Sequence, residues 1–189
     1  MFRHIIPFAA ATLLATAVVH AQPPAGVPAG LEPPAGVHPY LTLHAEGTQN
    51  YMCVLSPTGF GWLFYGPQAT LTGADEAQVA THFLSPNPDQ QGAARPTWQH
   101  SGDTSAIWAA AIASSTDPAF VAPGAIPWLL LAVVGDEAGP GGGTFFPGTT
   151  HIQRVNTAGG QAPATGCKTA RDVGKKALVP YSTDYVFYR

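Results

Sequence analysis

Turn-forming residues decide most of what this chain can fold into. The sequence holds 21 glycines and 19 prolines in 189 residues. From Tyr40 onward they, with Asn and Asp, cut the apolar pattern into runs of about four to nine residues. Runs of that length suit strands and fall short of an ordinary helix. Leu41, Leu43 and Ala45 alternate with Thr42 and His44, and Tyr51, Cys53 and Leu55 share one face of the next run. Trp62–Tyr65 follows a Pro57-Thr58-Gly59 turn and ends at Gly66-Pro67; residues 79–84, 126–134, 149–156, 176–180 and 184–188 complete the strand set. The spacing predicts an all-β, single-domain antiparallel β-sandwich or barrel with at most one or two short helices. Residues 74–81 and 104–114 are the segments with room for a helix. In the second, alanines favour helix while Ile107 and Ile112 suit either state. Residues 85–96, with three prolines, read as a surface loop.

The first residues point to export. Arg3 and His4 precede an apolar stretch from Ile5 to Val19, and Val19-His20-Ala21 offers small residues at the −3 and −1 positions. Residues 1–21 are therefore expected to be a signal peptide cleaved after Ala21, giving a secreted or periplasmic protein beginning at Gln22. The apolar stretch is shorter than the roughly 20 residues of a spanning helix, and no cysteine marks a lipoprotein site. No transmembrane anchor is expected after its removal. Residues 22–39 repeat Pro-Pro-Ala-Gly-Val and read as a Pro/Gly-rich extended linker. Residues 40–189 form the β domain.

What remains carries seven Lys or Arg against eleven Asp or Glu, with Lys175-Lys176 as the longest basic run. That balance gives no footing for nucleic acid as a partner. Cys53 and Cys167 are an isolated pair in what should be an oxidising compartment, most simply a disulfide; free thiols or mixed pairing are the alternatives.

The run Ile126–Val134 leads into five glycines, which raises the question of a phosphate loop. Counted from Gly139, the third glycine of a dinucleotide fingerprint is replaced by Thr144, and no helix pattern or G-K-[ST] follows. A connection between antiparallel strands fits better. There is no G-x-S-x-G elbow, and His38, His44, His82, His100 and His151 form no H-x-H or H-x-x-x-H pair. No cofactor, metal set or catalytic residue is assigned. Among Trp62, Trp98, Trp108 and Trp128, Trp98 is the one expected to be partly exposed, since it follows the Pro-rich loop and precedes Gln-His. Arg154 is a lone charge in the strand-like His151–Thr157; it is expected to be a solvent-facing neighbour of a carboxylate, with an anionic ligand or a buried ion pair as the alternatives and Asp103 and Asp184 as candidate partners.

The chain resembles a family of secreted bacterial and fungal proteins known as domain-of-unknown-function family 3455. The resemblance rests on Gly47-Thr48-Gln49-Asn50-Tyr51-Met52-Cys53, Trp62-Leu63-Phe64, Gly66–Leu71, His82-Phe83, Pro96-Thr97-Trp98, Ile126–Leu131, Ile152–Gly160, Pro163, Cys167, Val179-Pro180-Tyr181 and Asp184–Tyr188. It departs at Gln68 and Gln99, where the family pattern has Glu, and at residues 85–95. The family brings no assigned activity, and its two cysteines, both present here, imply a disulfide. The expected function is a disulfide-stapled, non-catalytic ligand-binding or structural module. Its ligand would be a small molecule or carbohydrate at His82, Trp98 and Arg154. The rival is an enzyme with a scattered His/Asp site, with or without a metal.

Overall fold

The computed structural model describes residues 26–189. The expected signal peptide, its cleavage after Ala21 and the first residues of the linker lie outside the described residues. The strands are β1 (Pro39–Ser56), β2 (Gly59–Thr72), β3 (Gln78–Asn87), β4 (Ala93–His100), β5 (Ala106–Ser115), β6 (Trp128–Glu137), β7 (His151–Gly159) and β8 (Lys176–Tyr188). Each pairs antiparallel with its neighbour in sequence, and β8 returns to β1, so the sheet is a closed eight-stranded barrel. Closure removes the free edges that an open sheet would expose.

Sequence and structure part in instructive places. Residues 39–56 form one strand, as do 176–188, because each partners a neighbour on both sides. Residues 104–114 are no helix: Ala106–Ser115 pairs with β4 and β6, and Ile107 and Ala109 point into the core. The Pro-rich segment 85–96 is a hairpin, its strands paired from Ser85↔Arg95 to Asn87↔Ala93 around a single 3-10 turn.

Alternate residues fill the barrel with Leu43, Leu71, Ile107, Ile152, Phe187 and their neighbours. The glycine-rich β6–β7 connection closes one end by inserting Phe146, which is fully buried. That connection is held, not slack. The Asp103 carboxylate accepts from Ser105 and from the Phe145 N–H. A Cβ on Gly139 or Gly143 would sit 1.7 Å from the Asp103 carbonyl oxygen or 2.3 Å from its Cβ, so glycine is needed for this close approach.

A second apolar cluster lies on the outside. Trp128 and Leu130 of β6, Val155 of β7, and Val186 and Tyr188 of β8 are covered by Leu31 and by Val121 and Ala125 of the β5–β6 connection. Residues 26–38 are therefore a strap across the outer wall, not a free spacer. Gln153 donates to the Leu31 carbonyl at 2.6 Å, and His38 and Arg189 exchange backbone hydrogen bonds. The strap explains why Ile126–Val134 is apolar without alternation: one parity faces the barrel core and the other faces the strap. Leu31 is 1% exposed. Leu31→Ala is expected to lower unfolding free energy by about 2–3 kcal/mol. A loss below ~0.5 kcal/mol in urea unfolding would mean the strap contributes no packing.

Candidate functional site

Beyond the apolar core, toward the end of the barrel where β1 carries Cys53, the inward positions change character. Gln49 and Tyr51 of β1, His82 of β3, Trp98 of β4, Arg154 of β7 and Tyr185 of β8 line a cavity of about 290 Å³, its walls completed by Ile126, Leu129, Leu131 and three prolines. The strand period explains the set. His82 stands opposite Trp98 on the neighbouring strand, and Arg154 opposite both Leu129 and Tyr185. The disulfide Cys53–Cys167 ties β1 to the β7–β8 connection at this end. Gly160 approaches within a Cβ contact of Gln49 and Ile126, and its carbonyl accepts the Tyr51 hydroxyl at 2.7 Å.

His82, Trp98 and Arg154, singled out in the sequence from three separate runs, thus meet in one cavity. Trp98 is not exposed as its neighbours suggested. It is 1% exposed, because β4 turns it inward onto His82. The two rings stack at 4.2 Å with 18° between their planes, and Tyr185 packs its edge against both. The other tryptophans lie elsewhere: Trp108 and Trp128 are buried outside this cavity, and Trp62 donates to the Thr165 carbonyl. Gln49, Tyr51 and Tyr185 were not singled out as site residues. The signal available for them was parity, since Gln49 and Tyr51 share a face with Cys53.

His82 Nδ1 lies 2.8 Å from the Thr97 carbonyl oxygen. A carbonyl only accepts, so Nδ1 carries the proton and Nε2 keeps its lone pair. Burial pushes the imidazole pKa down to about 3; the Thr97 bond opposes this shift and the Arg154 charge adds to it. His82 is therefore neutral at ordinary pH and acts as a hydrogen-bond acceptor at Nε2. Burial likewise raises the phenol pKa values of Tyr51 and Tyr185, with the Arg154 charge opposing it in both.

Arg154 is held through one edge only. Its Nε and Nη2 donate to the Pro127 carbonyl at 3.1 and 2.8 Å. Among the described residues no carboxylate pairs with it. The two partners the sequence suggested are engaged elsewhere: Asp184 with His44 and Asn156, Asp103 in its own turn. Three more donors around the cavity are buried without a hydrogen bond: Gln49 Nε2, Trp98 Nε1 and the Tyr185 hydroxyl. The Tyr185 hydroxyl lies close to Arg154 and Tyr181 but makes no hydrogen bond of acceptable geometry with either. Buried donors are normally paired; the Gln49 amide and the Tyr185 hydroxyl both lie close to the Tyr181 hydroxyl, whereas the partly buried Arg154 has its remaining N–H groups without a hydrogen bond among the described residues. Gln68 and Gln99, the departures from the family pattern, are not among the residues around this cavity.

The sequence model of a family described as protein of unknown function (DUF3455) matches residues 33–189, and the chain belongs to that family. No curated protein and no solved structure matches it.

Proposed function

We propose that this family member is an exported binding module whose barrel cavity receives one small organic molecule. The observation that carries this reading is Arg154, an unpaired guanidinium inside an otherwise apolar and aromatic cavity beside three unpartnered donors. Arg154 is partly buried, and withdrawing a cation from water without a counter-charge opposes folding. A purely structural role, fixing Pro127, engages only two of the five N–H groups of the guanidinium. An eight-stranded barrel is the size that either fills with side chains or holds one small ligand. Here it does the first at one end and the second at the other. His82, kept neutral, is suited to orient a ligand and not to exchange protons with it. Export is supported by the signal-like residues 1–21 and by the disulfide, which persists in oxidising compartments.

The test is a thermal-shift and calorimetric screen of small carboxylates, amides, alcohols, amines and monosaccharides, run in parallel on Leu129→Trp. Leu129 lines the cavity, so the larger ring fills it. A ligand at ten times its Kd should stabilise the wild-type protein by about 1.4 kcal/mol, and Leu129→Trp, checked for native circular dichroism, should lose the effect. If no compound class stabilises the wild-type protein, or if the filled variant responds equally, the binding reading is wrong.

A further inference from the structure

Resting on that reading of the cavity, we infer that its ligand is a monocarboxylate with a compact apolar body, its carboxylate held end-on by Arg154. The first argument is charge. Among the described residues Arg154 is the sole charged side chain lining the cavity, with no Asp, Glu or Lys beside it. One fixed positive charge balances one negative charge. A cation would be repelled, and a second negative charge would be left without a partner.

The second argument is the geometry of the guanidinium. Nε and Nη2 together form its side edge, and both are bonded to the same carbonyl, that of Pro127. This fixes the plane of the group and leaves the Nη1/Nη2 end edge, whose two parallel N–H bonds match the two oxygens of a carboxylate. A phosphate ester, with close to two charges, would meet a single fixed positive charge among the described residues that line the cavity.

The third argument concerns the rest of the ligand. Leu129, Leu131, Ile126, Pro67 and Pro96 supply an apolar wall, which fits hydrocarbon and penalises a polyol. The volume of about 290 Å³ equals about ten water molecules at roughly 30 Å³ each. The ligand is thus about ten non-hydrogen atoms in size, a single ring or a short branched chain. A ring hydroxyl would find an acceptor in His82 Nε2, whose other ring nitrogen is taken by Thr97.

Calorimetry on the mature protein at pH 7 with matched probes tests this. Benzoate and cyclohexanecarboxylate should bind at least about tenfold tighter than benzyl alcohol, the worth of one good charge-assisted pair. Acetate, lacking the body, and benzylamine, with the wrong charge, should bind more weakly still. Arg154→Gln should lose at least about tenfold for benzoate while leaving benzyl alcohol within a factor of about three; Arg154→Lys, which keeps the charge without the fork, should recover only part of the loss. Benzyl alcohol binding as tightly as benzoate, or benzoate binding unchanged in Arg154→Gln, would overturn the carboxylate assignment while leaving the cavity a binding site. Phenyl phosphate binding tighter than benzoate would overturn it in favour of a phosphate ligand. Binding by none of these probes would also overturn it, and the wider screen with Leu129→Trp then decides separately whether the cavity binds anything.

Discussion

The barrel should lose about 2 kcal/mol of stability between pH 6.5 and pH 4.5, and His82→Asn should abolish most of that slope. In the folded chain the imidazole is buried and titrates near pH 3, whereas in the unfolded chain it titrates near its ordinary value of about 6.5. Well above pH 6.5 both states are neutral and the full stability is present. Below it only the unfolded state gains the proton, so each further unit favours unfolding by about 1.4 kcal/mol until the folded pKa is reached. The whole window, from about 6.5 down to about 3, is worth up to about 5 kcal/mol. His82 is 3% exposed, so solvent screening does not reduce the effect. His151, also lowered by burial, adds a smaller slope of the same sign that survives the substitution. Asparagine keeps a donor near the position of Nδ1, so the Thr97 bond can persist, while the lost ring stack on Trp98 shifts stability equally at every pH. The measurement is urea unfolding at pH 7.0, 5.5 and 4.5. Parallel slopes for wild type and His82→Asn would show that His82 is not held neutral by the fold.

Much of the architecture is legible in the turn spacing, because every strand needs a break and glycine and proline mark the breaks. The places where the reading slips share a cause. Residues 104–114 look helical because alanine is a good helix former, yet pairing with β4 and β6 fixes the segment as a strand that buries Ile107 and Ala109. The Pro-rich segment 85–96 looks like loop because proline is rare in central strands, but here the β3 and β4 ends pair beyond the tightly packed part of the barrel. The strap is the largest gap. Nothing in Pro-Pro-Ala-Gly-Val announces that Leu31 will bury itself against Val155 and Val186, since that contact joins residues more than a hundred positions apart. The site divides the same way. His82, Trp98 and Arg154 stand out as unusual residues in β-like runs, so chemistry finds them. Gln49 and Tyr185 are ordinary in sequence, and only the register of β1 against its neighbours turns them toward Arg154. The exposure expected for Trp98 followed its neighbours along the chain, whereas the fold assigned its environment by parity.

Removing the disulfide should cost about 4 kcal/mol of stability without altering the cavity. Cys53 and Cys167 are 114 positions apart with Cα atoms 5.4 Å apart, so the bond closes most of the domain into one loop. Chain-entropy arithmetic for loops of this size gives about 4–5 kcal/mol, acting by restricting the unfolded chain. The native neighbourhood of the bond is held by other means. Cys53 and the Gly174–Lys175 backbone exchange two hydrogen bonds, Trp62 donates to Thr165, and Asp172 accepts from Lys168, Thr169 and Lys175. The Cys53→Ser/Cys167→Ser double variant should therefore unfold at much lower urea but bind any cavity ligand within about threefold of wild type. A loss of binding with little loss of stability would reverse this assignment and make the bond a device that shapes the cavity rim. The same preparation bears on export. Protein collected outside the cytoplasm should begin at Gln22 and show no free thiol when denatured without reductant, whereas the chain retained in a reducing cytoplasm should show two and carry the full stability deficit of the double variant. Retention of residues 1–21 in exported material would remove the signal assignment and leave the disulfide to be explained by the fold alone.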